Sequence, residues 1–189
     1  MAYSSWSVVF GEQPSAAKWN ILGTNDATFD TYIGGGTNAI QQVQYQVVTA
    51  TSSGTTTMPC DDSIPQNTEG VEFLTKAITP KATTNILVIE ASLLLGFNAD
   101  VSVENQTVAL FQDSTANALA ATSTWFPVSG GTLTIPLKHV MLAGTTSSTT
   151  FKIRSGNHNA GTTRLNGVAG SRRFGGVASS VLKITEYKV

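Results

Sequence analysis

Few residues in this chain could do chemistry, and their spacing decides what kind. Cys60 is the single cysteine, and His139 and His158 are the two histidines that could serve it as a base. A thiolate beside an imidazole is the minimum for cysteine-based nucleophilic catalysis. The surrounding PCDDS carries no recognisable catalytic signature, and no GxSxG elbow presents any of the many serines. His139 alternates with Lys138 as on a strand, and His158 falls at a loop tip. No catalytic residue is expected, and the chain reads as a binding or building element.

Metal and phosphate chemistry fare no better. Asp61 and Asp62 could join Asp100 or Glu104 around calcium, but the DxDxDG loop is missing and such residues serve readily as turn caps. One cysteine can build neither a zinc site nor an intrachain disulfide. Gly34, Gly35 and Gly36 lack the Lys-Ser/Thr and helix that follow in a phosphate loop. No metal site and no cofactor are expected. The NQT at 105–107 fits a glycosylation pattern that carries no information without a signal peptide.

Charge and composition narrow the class. Of 189 residues 12% are charged and 41% hydrophobic, and the net charge is −1, a balance that favours a packed fold over disorder. So few charges on a soluble chain suggest that partner subunits cover much of its surface. Residues 1–150 hold four basic groups against eleven acids, whereas 151–189 hold seven basic groups against Glu186 alone. Strands from the two parts can neutralise one another, within or between subunits; the alternative is an anionic ligand such as a surface polysaccharide. Nucleic acid is not expected, because no aromatics interleave with the basic residues. The longest apolar run, Ile86 to Phe97, is broken by Glu90, Ser92 and Gly96, so no membrane insertion is expected. The start MAYSSWSVVFGEQ has no signal-peptide character, which points to synthesis in the cytoplasm.

Two kinds of element would position these groups, and the glycines at 34–36 divide them. Pro14 to Leu22 reads as a short helix with Ser15 as its N-cap and Gly23 ending it. Thr24 can cap a second, whose N-terminus Asn25 and Asp26 suit. Trp19 and Leu22 share one face of the first, and Phe29, Tyr32 and Ile33 one face of the second. Helices this short need a surface to pack on, either their own domain or another protein. Residues 1–36 are thus expected to be an anchoring segment with a glycine hinge, and 37–189 a head domain.

After the hinge the period changes to two. AIQQVQYQVVTA (39–50) sets Val43, Tyr45 and Val47 opposite Gln42, Gln44 and Gln46, the pattern of a half-buried strand. Further strands are expected at 71–78, 85–97, 106–113, 132–142, 149–155 and 180–189, separated by Gly/Ser/Thr/Asn turns that include NG at 166–167. This rhythm predicts an all-β antiparallel sandwich or barrel. The stretch 86–95 is apolar on both faces, so it crosses the middle of a sheet or faces a neighbouring subunit.

The residues also carry a family resemblance. FGEQPSAAKWNILGTNDATFD resembles the short leader found on many structural proteins of tailed bacteriophages, where a PSAxKWNxLGxNDxxF pattern precedes a projecting domain. Pro14, Ser15, Ala16, Lys18, Trp19, Asn20, Leu22, Gly23, Asn25, Asp26 and Phe29 carry the match. The end, FGGVASSVLKITEYKV, resembles the last strand of jelly-roll modules similar to tumour-necrosis-factor-like and complement-type trimers. The resemblance implies an antiparallel jelly-roll sandwich, a homotrimer with an apolar surface at its threefold axis, and a place in the virion. It further implies docking on other virion proteins, tail, baseplate or capsid, through Trp19, Leu22, Phe29, Tyr32 and Ile33. A tail appendage attaching to a host surface polysaccharide is one role, with Asn157, His158, Asn159 and Arg164 of SGNHNAGTTRLNG (155–167) as the candidate binding loop. Capsid decoration is the alternative, and a free carbohydrate-binding β-sandwich a third.

Overall fold

The computed structural model describes residues 39–98, 104–126 and 130–189. The expected anchoring segment, with its helices and docking side chains Trp19, Leu22, Phe29, Tyr32 and Ile33, lies outside these residues. Within them the chain forms twelve strands: β1 (Ile40–Val48), β2 (Ser52–Gly54), β3 (Val71–Ile78), β4 (Ile86–Asn98), β5 (Glu104–Gln112), β6 (Ala120–Phe126), β7 (Thr132–Leu142), β8 (Thr149–Asn157), β9 (Thr162–Leu165), β10 (Gly167–Val168), β11 (Ser171–Arg172) and β12 (Ser180–Tyr187).

Two antiparallel sheets face each other. The first runs β1–β12–β4–β7, with β9 continuing along the β12 edge of β4 and β2 pairing outside β9. The second runs β3–β8–β5–β6. β4 lies between two neighbours, as its two-sided apolar sequence predicts: Ile86 to Gly96 pair with β7 while Ile86 to Ser92 pair with β12. Its inward residues Leu87, Ile89, Leu93 and Leu95 are fully buried against Leu74 of β3, Leu110 of β5 and Ile153 of β8. Burial of such side chains contributes roughly 1.5–3 kcal/mol each, enough to make this interlayer the main source of stability.

The second sheet is covered on its outer face as well. Val108 and Leu110 of β5 point into the core, and by alternation Ala109 and Phe111 point outward, where Met58 and Ala118 cover them. Residues 55–70 form a strap across this face, held where the Met58 N–H donates to Asn157 O (2.8 Å) and the Gly70 N–H to Thr57 O (2.8 Å). Arg154 on β8 donates to the carbonyls of Glu69 (2.7 Å) and Gly70 (2.8 Å), so a basic residue secures the strap. Gly156 makes the close crossing possible, because a Cβ there would lie 2.7 Å from Thr56 O.

The NG turn at 166–167 acts as a junction. Asn166 takes a positive φ of 55°, a conformation asparagine tolerates, and its amide donates to Val48 O (2.8 Å) and Ala50 O (3.1 Å). Its carbonyl accepts from Ser180 Oγ (2.8 Å), which in turn accepts from the Leu94 N–H (3.0 Å). One side chain therefore links the ends of β1, β4 and β12.

Candidate functional site

β1 is oriented against the usual rule. Its inward side carries glutamines and its outward side Val43, Tyr45 and Val47. The glutamines are used. Gln42 Nε2 donates to Thr79 O (2.8 Å) and to Glu186 Oε2 (2.6 Å), while Gln46 Oε1 accepts the Thr75 N–H (2.7 Å). They close the edge between the sheets by hydrogen bonds instead of apolar contact, which leaves the valines and the tyrosine in solvent.

Glu186 is the centre of that closure. It is fully buried, and its Oε1 also accepts from the Lys81 N–H (2.7 Å) and from Asn85 Nδ2 (2.6 Å). Burial by itself would raise its pKa; the bonds from Asn85, Gln42 and the N–H groups of Lys81 and Ala82 outweigh burial and hold the carboxyl below its ordinary value. A buried carboxylate near the end of β12 thus ties that strand to β1 and to the loop before β4. In the sequence its only mark was being the single acid among seven bases.

The outward face of the first sheet is unusually apolar. Register places Tyr45, Lys183, Glu90 and Lys138 in one row across four strands. Val47, Val181, Ser92 and Pro136 form the next row, and on the other side Thr185, Val88 and Val140 follow Val43. Val43, Tyr45, Val47, Val140 and Leu142 are each between 43% and 63% exposed. One charged row crosses this field: Glu90 binds Lys183 at 2.7 Å and Lys138 at 3.5 Å. The Lys183 hydrogen bond is the main reason that the Glu90 carboxyl lies below its ordinary pKa, and Glu90 in turn raises that of Lys183. A shallow groove of about 600 Å³ runs along Ser92, Pro136 and Val181.

The residues expected to bind or react are placed as follows. Asn157 is the last residue of β8 and is buried, with Oδ1 accepting from Thr163 Oγ1 (3.1 Å). It was expected in a surface loop, but β8 runs two residues further than its alternation suggested. Its inward side continues as Ser155 and Asn157, joined with Gln106 and Thr163 in a buried polar network. His158 is half-buried, and Nδ1 accepts the Cys60 N–H (2.9 Å). That bond joins the imidazole to the Cys60 backbone, and it fastens the strap. Asn159 is exposed just beyond β8, and Arg164 is half-buried on β9 opposite Gly96 and Ser53. His139 sits on β7 opposite Ile89. Among the described residues no group of three His, Cys, Asp or Glu could hold a metal, and no helix is long and apolar enough to cross a membrane.

Fold and face together define a two-layer antiparallel β-sandwich with one outward apolar sheet. No protein-family profile matches the chain, and no curated protein does. Among solved structures it is similar to the VP2 subviral particle of infectious bursal disease virus (12% identity, TM-score 0.31, 80% of this chain and 39% of that one). It is also similar to the structure of the Gx strain of that virus (11% identity, TM-score 0.35, 80% and 39%). A third similar structure is that of T=1 particles derived from the virus (17% identity, TM-score 0.31, 80% and 37%). The chain spans about two fifths of the length of these proteins.

Proposed function

We propose that this chain is a non-enzymatic structural protein of a tailed-phage virion. In this reading residues 1–36 dock it through Trp19, Leu22, Phe29, Tyr32 and Ile33, and a homotrimeric jelly-roll head projects to attach to the host surface. The strand order, β1–β12–β4–β7 against β3–β8–β5–β6, supports a jelly roll, in which eight strands divide between two sheets. The leader pattern PSAAKWNILGTNDATF supports the virion.

The observation that carries the reading is the reversed polarity of β1. Valine and tyrosine face out while glutamine faces in, on a sheet whose outward side carries Val88, Val140 and Val181 on either side of one charged row, Lys183–Glu90–Lys138. Four strands by four residue rows cover roughly 20 Å by 25 Å, about 500 Å². Two copies meeting through it would remove about 1,000 Å², the lower bound for a specific interface. Another copy of this chain is the occupant that this area fits, and in the proposed trimer each copy would set this face against a different surface of its neighbour.

Light scattering of the purified chain tests the oligomer: a trimer is expected at micromolar concentration, and Tyr45→Glu with Val47→Glu should return a folded monomer. A wild-type monomer would overturn the trimer. Immunogold labelling of particles with an antibody to residues 40–189 tests the location. Label at the tail or baseplate fits attachment, label over the head means capsid decoration, and no label on any particle removes the virion.

A further inference from the structure

The outer face of the second sheet holds a pocket of about 180 Å³ between the strap and β6, lined by Pro59, Cys60, Asp61, Ser63 and Pro65 on one side and by Thr107, Ala121, Thr122 and Ser123 on the other. It lies on the opposite side of the sandwich from the apolar sheet, so assembly through that sheet leaves it open. Its chemistry is hydroxyl and carboxylate on one hand, proline rings on the other.

Each polar part is already oriented. Asp61 Oδ1 accepts from both the Ser63 N–H (2.9 Å) and Ser63 Oγ (2.5 Å), which fixes the exposed carboxylate through one oxygen. His158 holds the next residue by its backbone, so it acts as a positioning residue for the strap. Thr107 is 4% exposed, and its hydroxyl is buried with no partner in the protein. A buried hydroxyl without a hydrogen bond is costly, and something that supplies one is favoured there.

Beside this pocket stands an exposed aromatic. The register pairs Thr107 with Ser123 and Asn105 with Trp125, which puts Trp125 on the same outer face, two residues beyond Ser123. Two residues along a strand span about 7 Å, so the indole stands beside the pocket, about one ring's width from Ser123. Trp125 is 60% exposed, so its ring offers a flat apolar face beside the pocket.

We infer that this cleft binds a neutral oligosaccharide, one ring seated among Asp61, Ser63, Thr107 and Ser123 and the next stacked on Trp125. Sugar hydroxyls donate to the other Asp61 carboxylate oxygen and accept from the Thr107 and Ser123 hydroxyls, while the C–H faces of the rings lie on indole and proline. The lining carboxylate and its neighbour Asp62 disfavour an anionic sugar. This deepens the attachment reading by naming the ligand class, and it moves the site from Arg164 to the far face of the sandwich.

The test is retention of the full chain on an array of microbial surface glycans, followed by titration with the glycan that is best retained. Binding to uncharged glycans is expected, weakened roughly tenfold or more by Asp61→Asn and by Trp125→Ala, each such loss being the size of a hydrogen bond to a charged group or an aromatic contact. Trp125→Ala should keep the wild-type melting curve because the ring is largely in solvent, and Trp125→Phe should restore most of the binding. Failure to retain any neutral glycan overturns the inference, and so does equal binding by Asp61→Asn and Trp125→Ala. Either failure leaves the virion reading intact, since gold labelling decides that separately.

Discussion

Replacing Glu186 should destabilise the β-sandwich more than any other single polar substitution among the described residues. Its carboxylate accepts from Gln42, Asn85 and the Lys81 N–H while fully buried. Hydrogen bonds to a charged group contribute about 1.5–3 kcal/mol each. Glu186→Gln keeps an oxygen for Lys81 and Asn85 but turns an amide donor toward Gln42 Nε2. Gln42 can flip its amide only by giving up its 2.8 Å bond to Thr79 O. The expected loss is about 2–3 kcal/mol, one such bond plus the charge assistance of the others. Glu186→Ala also strands buried Asn85, and about 4 kcal/mol is expected, a fall in Tm of roughly 8–15 °C for a domain of this size. The pH dependence has a definite sign. The folded carboxyl titrates below its unfolded value, so its stabilisation is complete above about pH 4.3 and fades as acid passes through the lowered folded value. Urea unfolding at pH 7 and across pH 3–5 reads both quantities. If Glu186→Gln matched wild type at pH 7, or if it kept the wild-type slope in acid, the clamp would not be what closes this edge.

The remaining predictions concern packing. Leu93→Ala, in the fully buried interior of β4, should cost about 2–5 kcal/mol, whereas Leu133→Ala at 38% exposure should cost less than about 1 kcal/mol; denaturant midpoints compare the two directly. Gly96→Ala would place a methyl 1.9 Å from Gly167 O, so β4 or the β10 turn must move. A loss of about 1–3 kcal/mol is expected, with amide shifts confined to residues 94–98 and 165–168; an unchanged melting curve would contradict the close approach.

How much of this was legible beforehand depends on what each segment packs against. VEFLTKAI and TLTIPLKHVML carry enough apolar contrast to be read as strands, and they occupy 71–78 and 132–142 as expected, although β3 breaks its alternation between Glu72 and Leu74. The 86–95 stretch was recognisable as two-sided, because a strand with neighbours on both edges and bulk on one face needs apolar residues throughout. AATSTWF was not recognised as β6, since its small and hydroxylated residues carry no periodic contrast; pairing with β5 makes it a strand. TTRL is β9 only because β4 outruns β12 and offers it a free edge. The same omission concealed the sugar cleft, whose far wall and tryptophan belong to β6.

Class and rhythm were legible from the sequence alone: an all-β antiparallel chain, sparse in charge. Period-two patterning is local, so it survives being read one strand at a time. Which face of a strand is inside is not local. Val43, Tyr45 and Val47 would face inward in most sheets, yet here Glu186, distant in sequence, claims Gln42 for the interior and turns the apolar side out. The clamp, the outward apolar sheet and the cleft beneath the strap were decided by the tertiary structure. Each depends on side chains brought together from strands far apart in the chain, and no periodicity records such pairings.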